Sequence, residues 1–129
     1  MQLVSAVSFM LIRDGAVLAE RRKMSKPADP GILSLPGGHV EAGETVLQAL
    51  RREAKEETTV DIINPNFVCT LLHRSVNVMK LHYYAVTAWQ GVIETIEAQS
   101  LHWIPLDRPE LFDLDVCKVA VREYRRIYL

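Results

Sequence analysis

An α/β fold, with a central mixed β-sheet and a helix on each side, follows from the order of periodic segments in this 129-residue chain. Two apolar runs joined by a tight-turn signal open it. A stretch of helix formers free of Gly and Pro follows a glycine pair near the middle. An amphipathic stretch closes the chain after several segments rich in β-branched and aromatic residues. With 49% hydrophobic residues, the length suits one domain, expected to span residues 1–129, and is short for two.

Val4–Ile12 and Ala16–Ala19 are apolar, and Asp14-Gly15 between them predicts a two-residue hairpin turn. Arg21 to Gly31 carries four basic residues and then Pro27 and Pro30, which forbid regular pairing, so a surface loop is expected, with a short strand over Ile32–Leu35 after it. Pro36-Gly37-Gly38 breaks that strand, and Glu44–Thr58 reads as a helix. Past the Asn64-Pro65 turn, strands are expected over Phe67–Leu72 and Lys80–Trp89, closed by Gln90-Gly91. A polar loop around Glu94–Ser100 precedes a last strand, Leu101–Leu106. In the closing helix Val116, Val119, Ala120, Tyr124 and Ile127 recur at helical spacing, with Asp113 or Asp115 expected as its cap.

Composition narrows the partners. Fifteen basic against 16 acidic residues leave a formal charge of −1, so no general field draws the chain to nucleic acid or anionic lipid. Cys69 and Cys117 lie far apart among apolar neighbours without metal-ligand spacing, which fits buried free thiols in a reducing cytoplasm. The apolar start has no preceding Lys or Arg and is too short to span a bilayer, so neither a signal peptide nor a membrane anchor is expected.

The chemistry concentrates on the first helix. Glu53, Glu56 and Glu57, three and four residues apart, share an arc of roughly 100° beside an apolar stripe that includes Val46, Leu47, Leu50 and Ala54. Like charges at this spacing destabilise a helix by roughly 0.2–0.5 kcal/mol per pair, so a positive partner is required. Arg52 reaches Glu56 one turn on, but one guanidinium does not neutralise three carboxylates. A hard divalent cation with oxygen ligands, Mg²⁺ or Mn²⁺, does. Ala49 leaves room on that face for a loop or ligand, and Gly37-Gly38 upstream permits a tight loop aimed at a metal-bound phosphate.

Taken together, Gly38, Glu44, Arg52, Glu53, Glu56 and Glu57 stand as G-x5-E-x7-R-E-x-x-E-E, and this pattern resembles the box of the Nudix hydrolase family, in its MutT-like form, over residues 38–60. The Leu35-Pro36-Gly37-Gly38 entry and the Trp103–Asp107 stretch resemble the family too. One position departs: Thr59 stands where the family usually has glycine, at a cost of roughly 1–2 kcal/mol if that site demands a left-handed backbone.

The resemblance implies a Nudix-type α/β/α sandwich and attack by water on a diphosphate linkage. It implies that Glu53, Glu56 and Glu57 ligate metal or activate water, with the Gly37 carbonyl a further ligand. Arg52 would orient a glutamate, and Glu44 would stand behind the ligands near the positive end of the helix. Gly38 would lie against substrate, and Arg21 or Arg22 would contact its phosphates. Glu97 in the later loop is a weaker candidate for an extra carboxylate. Neither the NADH-type nor the coenzyme A signature is present, so a nucleoside triphosphate, or another nucleoside diphosphate derivative, is the default substrate. Association with a second copy is left open.

Other residues carry blander expectations. His39, His73, His82 and His102 form no cluster along the chain and are expected to be surface residues or satisfied by neighbours. Trp103, Tyr83 and Tyr84 are able to stack on a base but are assigned to the core or sheet surface. The rival readings are an inactive Nudix-fold domain that binds or senses a nucleotide, opposed by the intact acidic positions, and an isoprenoid diphosphate isomerase, opposed by the short chain and by cysteines without catalytic context.

Overall fold

A computed structural model of the chain describes residues 2–129. The opening hairpin forms as expected. β1 (Leu3–Arg13) pairs antiparallel with β2 (Ala16–Arg21), and Asp14 and Gly15 both take positive φ, 53° and 74°. That backbone matches the twist of the two strands.

β1 is the centre of the sheet. One edge is shared: its Ile12–Arg13 end pairs with β2, while Ala6–Ser8 pair with β4 (Gly37–His39). Its other edge runs parallel to β7 (Val78–Val86), which pairs antiparallel with β6 (Asn66–Arg74). β2 also carries β3 (Leu33–Ser34) and β9 (Ser100–Pro105), both antiparallel. One parallel pairing among antiparallel ones makes the sheet mixed.

Alternation along β1 and β2 divides the core into two layers. Val7, Phe9, Leu11 and Leu18 face α1 (Val46–Thr58), meeting Ala49, Leu50 and Ala54. Met10, Ile12, Val17 and Ala19 face α2 (Asp115–Tyr128), meeting Cys117, Ala120, Val121 and Tyr124. Both faces are thus covered, which explains why β1 reads as an unbroken apolar run.

Several expectations need correction. The predicted Lys80–Trp89 strand divides at Thr87: β7 stays in the main sheet, while β8 (Ala88–Gln90) leaves to pair with β5 (Asp61–Ile63). Ile62 and Trp89, partners in that small ribbon, close the core beside α1. On α2 the buried stripe runs through Cys117, Ala120, Val121 and Tyr124, leaving Val119 and Ile127 exposed. Leu114 is the α2 cap, without a side-chain cap bond. Asp113 instead accepts a hydrogen bond from the Leu33 amide at 2.7 Å, tying the helix entry to β3, and Asp115 lies near Lys118.

The helix of the acidic pattern begins two residues later than expected. Thr45 is its cap: the Thr45 hydroxyl accepts from the Gln48 amide at 3.1 Å, and the Gln48 side chain accepts from the Thr45 amide at 2.8 Å. Leu47, expected beside the core, is exposed, and Ala49 lies in the core with no room for a loop or ligand. At the other end Thr59 adopts the left-handed conformation, φ 66° and ψ 11°. Its hydroxyl donates to the Val92 carbonyl at 2.6 Å, returning part of the steric cost.

Candidate active site

Arg52 organises the acidic face. Its Nε and Nη2 make a fork onto Glu44 at 2.6 and 2.9 Å, Nη1 donates to Glu53 at 2.8 Å and to Glu56 at 3.1 Å, and Nη2 also donates to the His39 carbonyl at 2.9 Å. One planar cation therefore joins the loop before α1, strand β4 and the helix itself. Glu44 lies outside the helix, just before its cap, and accepts from the Glu41 amide at 2.9 Å. The Arg52 hydrogen bond, helped by the Glu41 amide, lowers the Glu44 carboxyl to about 2. Glu44 in turn, as the largest cause, strengthens the hold of Arg52 on its proton.

Gly37 and Gly38 serve close approach. Neither has positive φ, contrary to the expectation of an unusual loop backbone; both belong to β4. A Cβ at Gly37 would run into the Val7 carbonyl and the Ser8 Cα of β1, and one at Gly38 would run into the Glu53 carboxylate. The second glycine is therefore the floor on which a helix glutamate rests.

Glu53 and Glu57 are buried, at 9% and 8% exposure, whereas Glu56 is exposed. One oxygen of Glu57, Oε2, is buried without any hydrogen-bond partner, a costly state for a polar atom. A further buried carboxylate joins them, one that sequence reasoning missed. Glu20 on β2 is 4% exposed, and its neighbour Arg22 approaches at 3.7 Å. The signal for Glu20 lay in strand alternation: Leu18 faces α1, so the residue two further on does as well.

Burial, then the charges of Glu20, Glu53 and Glu97, push the Glu57 carboxyl up to about 10. Burial is also the first cause that pushes Glu20 up to about 7, with Glu97 and Glu53 adding and Arg22 and Lys26 opposing. Glu53 is raised by burial against the opposing pull of Arg52. Glu97, exposed in the β8–β9 loop, is thus close enough for its charge to be felt by all three.

These residues suit a hard divalent cation. The donors are carboxylate oxygens, and the Glu57 oxygen without a partner asks for a positive group. Among the described residues, no three His, Cys, Asp or Glu side chains already converge to metal-site spacing. Arg52 holds Glu53 and Glu56 in ion pairs instead.

A cleft of about 100 Å³ opens next to this face on the α2 side of the sheet. Gly37, Ser8 and Arg22 line it toward β4, and Met79, Leu81, Tyr83, Leu114 and Cys117 supply apolar and aromatic walls. Arg22 donates to the Ala28 carbonyl at 3.1 Å. Arg21 is not among the lining residues; its guanidinium donates to the Gly31 carbonyl at 3.1 Å. Asp29 and His73, also in the lining, contact each other at 2.9 Å. A wider cleft of about 380 Å³ lies beside Trp89 and Trp103, with the Arg13 guanidinium over both rings; none of the glutamates lines either cleft, and only the smaller one reaches Gly37 and Arg22 next to them.

The remaining expectations resolve simply. His82 lies between Ser5 and Thr70, His102 contacts Ser100, and His39 contributes its carbonyl to Arg52. Tyr83 is buried in the α2-side core, Tyr84 packs edge-on against Phe67, and Trp103 is partly exposed on the sheet. Cys117 is buried and Cys69 half-buried, both free. Among the described residues no helix is long and apolar enough to cross a membrane.

Comparison with known proteins agrees with this architecture. A family model described as NUDIX domain matches residues 1–122. The CTP pyrophosphohydrolase of Escherichia coli is 31% identical over 105 residues, covering 80% of this chain and 76% of the relative. The 8-oxo-dGTP diphosphatase of Buchnera aphidicola is 26% identical over 107 residues, covering 83% and 80%. A crystal structure of a MutT NUDIX hydrolase from Burkholderia pseudomallei superposes with a TM-score of 0.86 at 24% identity, covering 95% of this chain and 98% of that one, which establishes the shared fold. With motif, fold and sequence likeness agreeing along nearly its whole length, the chain belongs to the NUDIX family of hydrolases, enzymes that act on phosphorus anhydrides.

Proposed function

We propose that the chain is a divalent-metal-dependent pyrophosphohydrolase that cleaves the diphosphate linkage of a nucleoside triphosphate or another nucleoside diphosphate derivative. The observation that carries this reading is the Glu57 oxygen, buried and without a partner among the described residues, close to Glu53, which itself rests on Gly38 beside the Gly37 that lines the smaller cleft. The nucleotide-hydrolysing relatives support the substrate class.

In this reading Glu53, Glu56, Glu57 and the Gly37 carbonyl hold the metal, and Arg52 backed by Glu44 sets the orientation of Glu53 and Glu56. When bound, the cation would neutralise charge on the phosphate oxygens and acidify the attacking water. The glutamate cluster takes the proton from that water. Arg22 reaches the phosphates from the cleft side and the base enters between Leu81, Tyr83 and Leu114, while Gly38, expected against substrate, is instead covered by the Glu53 carboxylate. The apolar walls exclude bulk water and strengthen each of these charge contacts.

Screening nucleoside triphosphates, sugar nucleotides, dinucleoside polyphosphates and ADP-ribose with Mg²⁺ or Mn²⁺, and identifying the phosphate products, tests the reading. Glu57→Gln and Glu56→Gln should each lower turnover at least about 100-fold, as loss of a group that stabilises transition-state charge does, with circular dichroism unchanged. Full turnover in both variants at saturating metal would refute it, and nucleotide binding without turnover in the parent would favour an inactive binder.

A further inference from the structure

We propose that Asp29 and His73 form a hydrogen-bond-accepting edge in the cleft that selects nucleobases bearing an exocyclic amino group over their keto counterparts. This rests on the cleft being the base-binding part of the site proposed above.

The pair is assembled from distant parts of the chain, 44 residues apart in sequence: Asp29 from the loop between β2 and β3, His73 from the end of β6. Asp29 Oδ2 and His73 Nε2 lie 2.9 Å apart, and both side chains are largely buried, at 25% and 17% exposure. A carboxylate only accepts, so Nε2 is the donor. Asp29 Oδ1, the carboxylate oxygen left over, is an acceptor, and the hydrogen bond from His73 fixes the carboxylate that carries it.

The hydroxyls of the cleft are already committed, that of Tyr83 to Cys117. Ser8 donates to the Pro36 carbonyl at 2.9 Å, and Ser34 to the Leu35 carbonyl at 3.5 Å. Arg22 is drawn toward the Ala28 carbonyl and Glu20, on the glutamate side. The walls contributed by Met79, Leu81 and Leu114 offer shape without a polar preference. Base selection therefore falls to the Asp29–His73 edge.

The Asp29 backbone has φ 47°, a left-handed conformation that Asp tolerates better than most residues. The amino groups of cytosine and adenine donate to such an edge. In uracil and hypoxanthine a carbonyl oxygen takes that place and the donor moves to the adjacent ring N–H, so an acceptor faces the carboxylate, and a site built to bond a donor discriminates strongly against its absence at that position.

The test compares kcat/KM for CTP against UTP and for ATP against ITP. The parent enzyme should favour the amino member of each pair by at least about tenfold. Asp29→Asn, whose amide offers a donor as well as an acceptor, should shrink the ratio below about threefold by improving the keto substrate. Binding of CMP and UMP to metal-free protein, followed by NMR titration, should show the same preference without any turnover. Equal kcat/KM within both pairs, or equal binding of CMP and UMP, overturns the proposal, as does an Asp29→Asn variant that leaves the ratio unchanged. Failure of the hydrolase reading would look different: no nucleotide would turn over, while the monophosphate titration would still decide the base preference.

Discussion

Arg52, Glu53 and Gly38 act as a unit in which each side chain is defined by the next. The guanidinium binds Glu53, and the Glu53 carboxylate lies directly on the α-carbon of Gly38. Adding one methyl group at Gly38 displaces that carboxylate while leaving its charge intact. Gly38→Ala should therefore weaken metal binding and turnover together, by about tenfold or more, given how steeply catalysis depends on placement. The melting temperature of the metal-free protein should shift by only a few degrees. Titration with Mn²⁺ and calorimetry check the two halves, and a variant with parental metal affinity would show that Glu53 has no need of its floor. Arg52 and the glutamates were legible in the sequence because they gather on one helix, and Gly38 because it holds a fixed place in the family pattern. Glu20, Asp29 and His73 were not, since each is an ordinary polar residue until the fold sets it beside a partner.

At the level of elements, α1 is pinned at both ends by threonines. Thr45 closes a reciprocal cap with Gln48, and Thr59 turns the chain out through a left-handed residue secured to Val92. Removing the Thr59 hydroxyl keeps the strain and loses the bond. Thr59→Ala should thus cost about 1 kcal/mol, whereas Thr59→Gly relieves the backbone as it loses the bond and should lie within about 0.5 kcal/mol of the parent. Urea unfolding of both variants measures this, and a Thr59→Gly variant less stable than Thr59→Ala would contradict it. The family pattern placed α1 well; Thr59 in place of glycine suggested a different helix exit, yet the exit keeps the left-handed residue. The face of α2 was harder to read. Its apolar residues allow two overlapping stripes, and only the packing of β6 and β7 beneath selects Cys117 and Val121 over Val119 and Ile127. The break between β7 and β8 had no Gly or Pro to announce it, because Thr87 separates strands that differ only in the sheet they join.

For the molecule as a whole, the buried carboxyls make stability depend on pH and on metal. Glu20 and Glu57 hold protons in the folded, metal-free state far above the ordinary value of 4.5. The unfolded chain releases those protons first as pH rises. The folded state then binds more protons than the unfolded one, so stability is highest at or below about pH 4.5 as far as these two groups go, and declines through about 7 and on toward about 10. A divalent cation bound as proposed would reverse the trend, because ligation requires the ionised carboxylates and adds binding free energy to the native state alone. The rise in melting temperature on adding Mg²⁺ should therefore grow between pH 6 and pH 9 (about tenfold in proton activity per unit). A rise that is independent of pH, or absent, would mean that the buried glutamates are not where the cation goes. The sheet order was only partly legible beforehand: the hairpin declared itself through Asp14-Gly15, but the sharing of β1 between β2 and β4 depends on contacts that no local pattern encodes.

The Arg13 guanidinium lies over both Trp89 and Trp103, 5.4 and 4.9 Å from the ring centroids, and the chain has two tryptophans in all. Intrinsic fluorescence is therefore a one-corner probe: its emission follows the junction of β8 and β9 and is nearly silent about the carboxylates and the opposite cleft. An unfolding curve recorded by tryptophan emission will lead the ellipticity signal if that corner loosens first, so the interval between the two curves measures how tightly the far edge of the sheet is coupled to the glutamate helix.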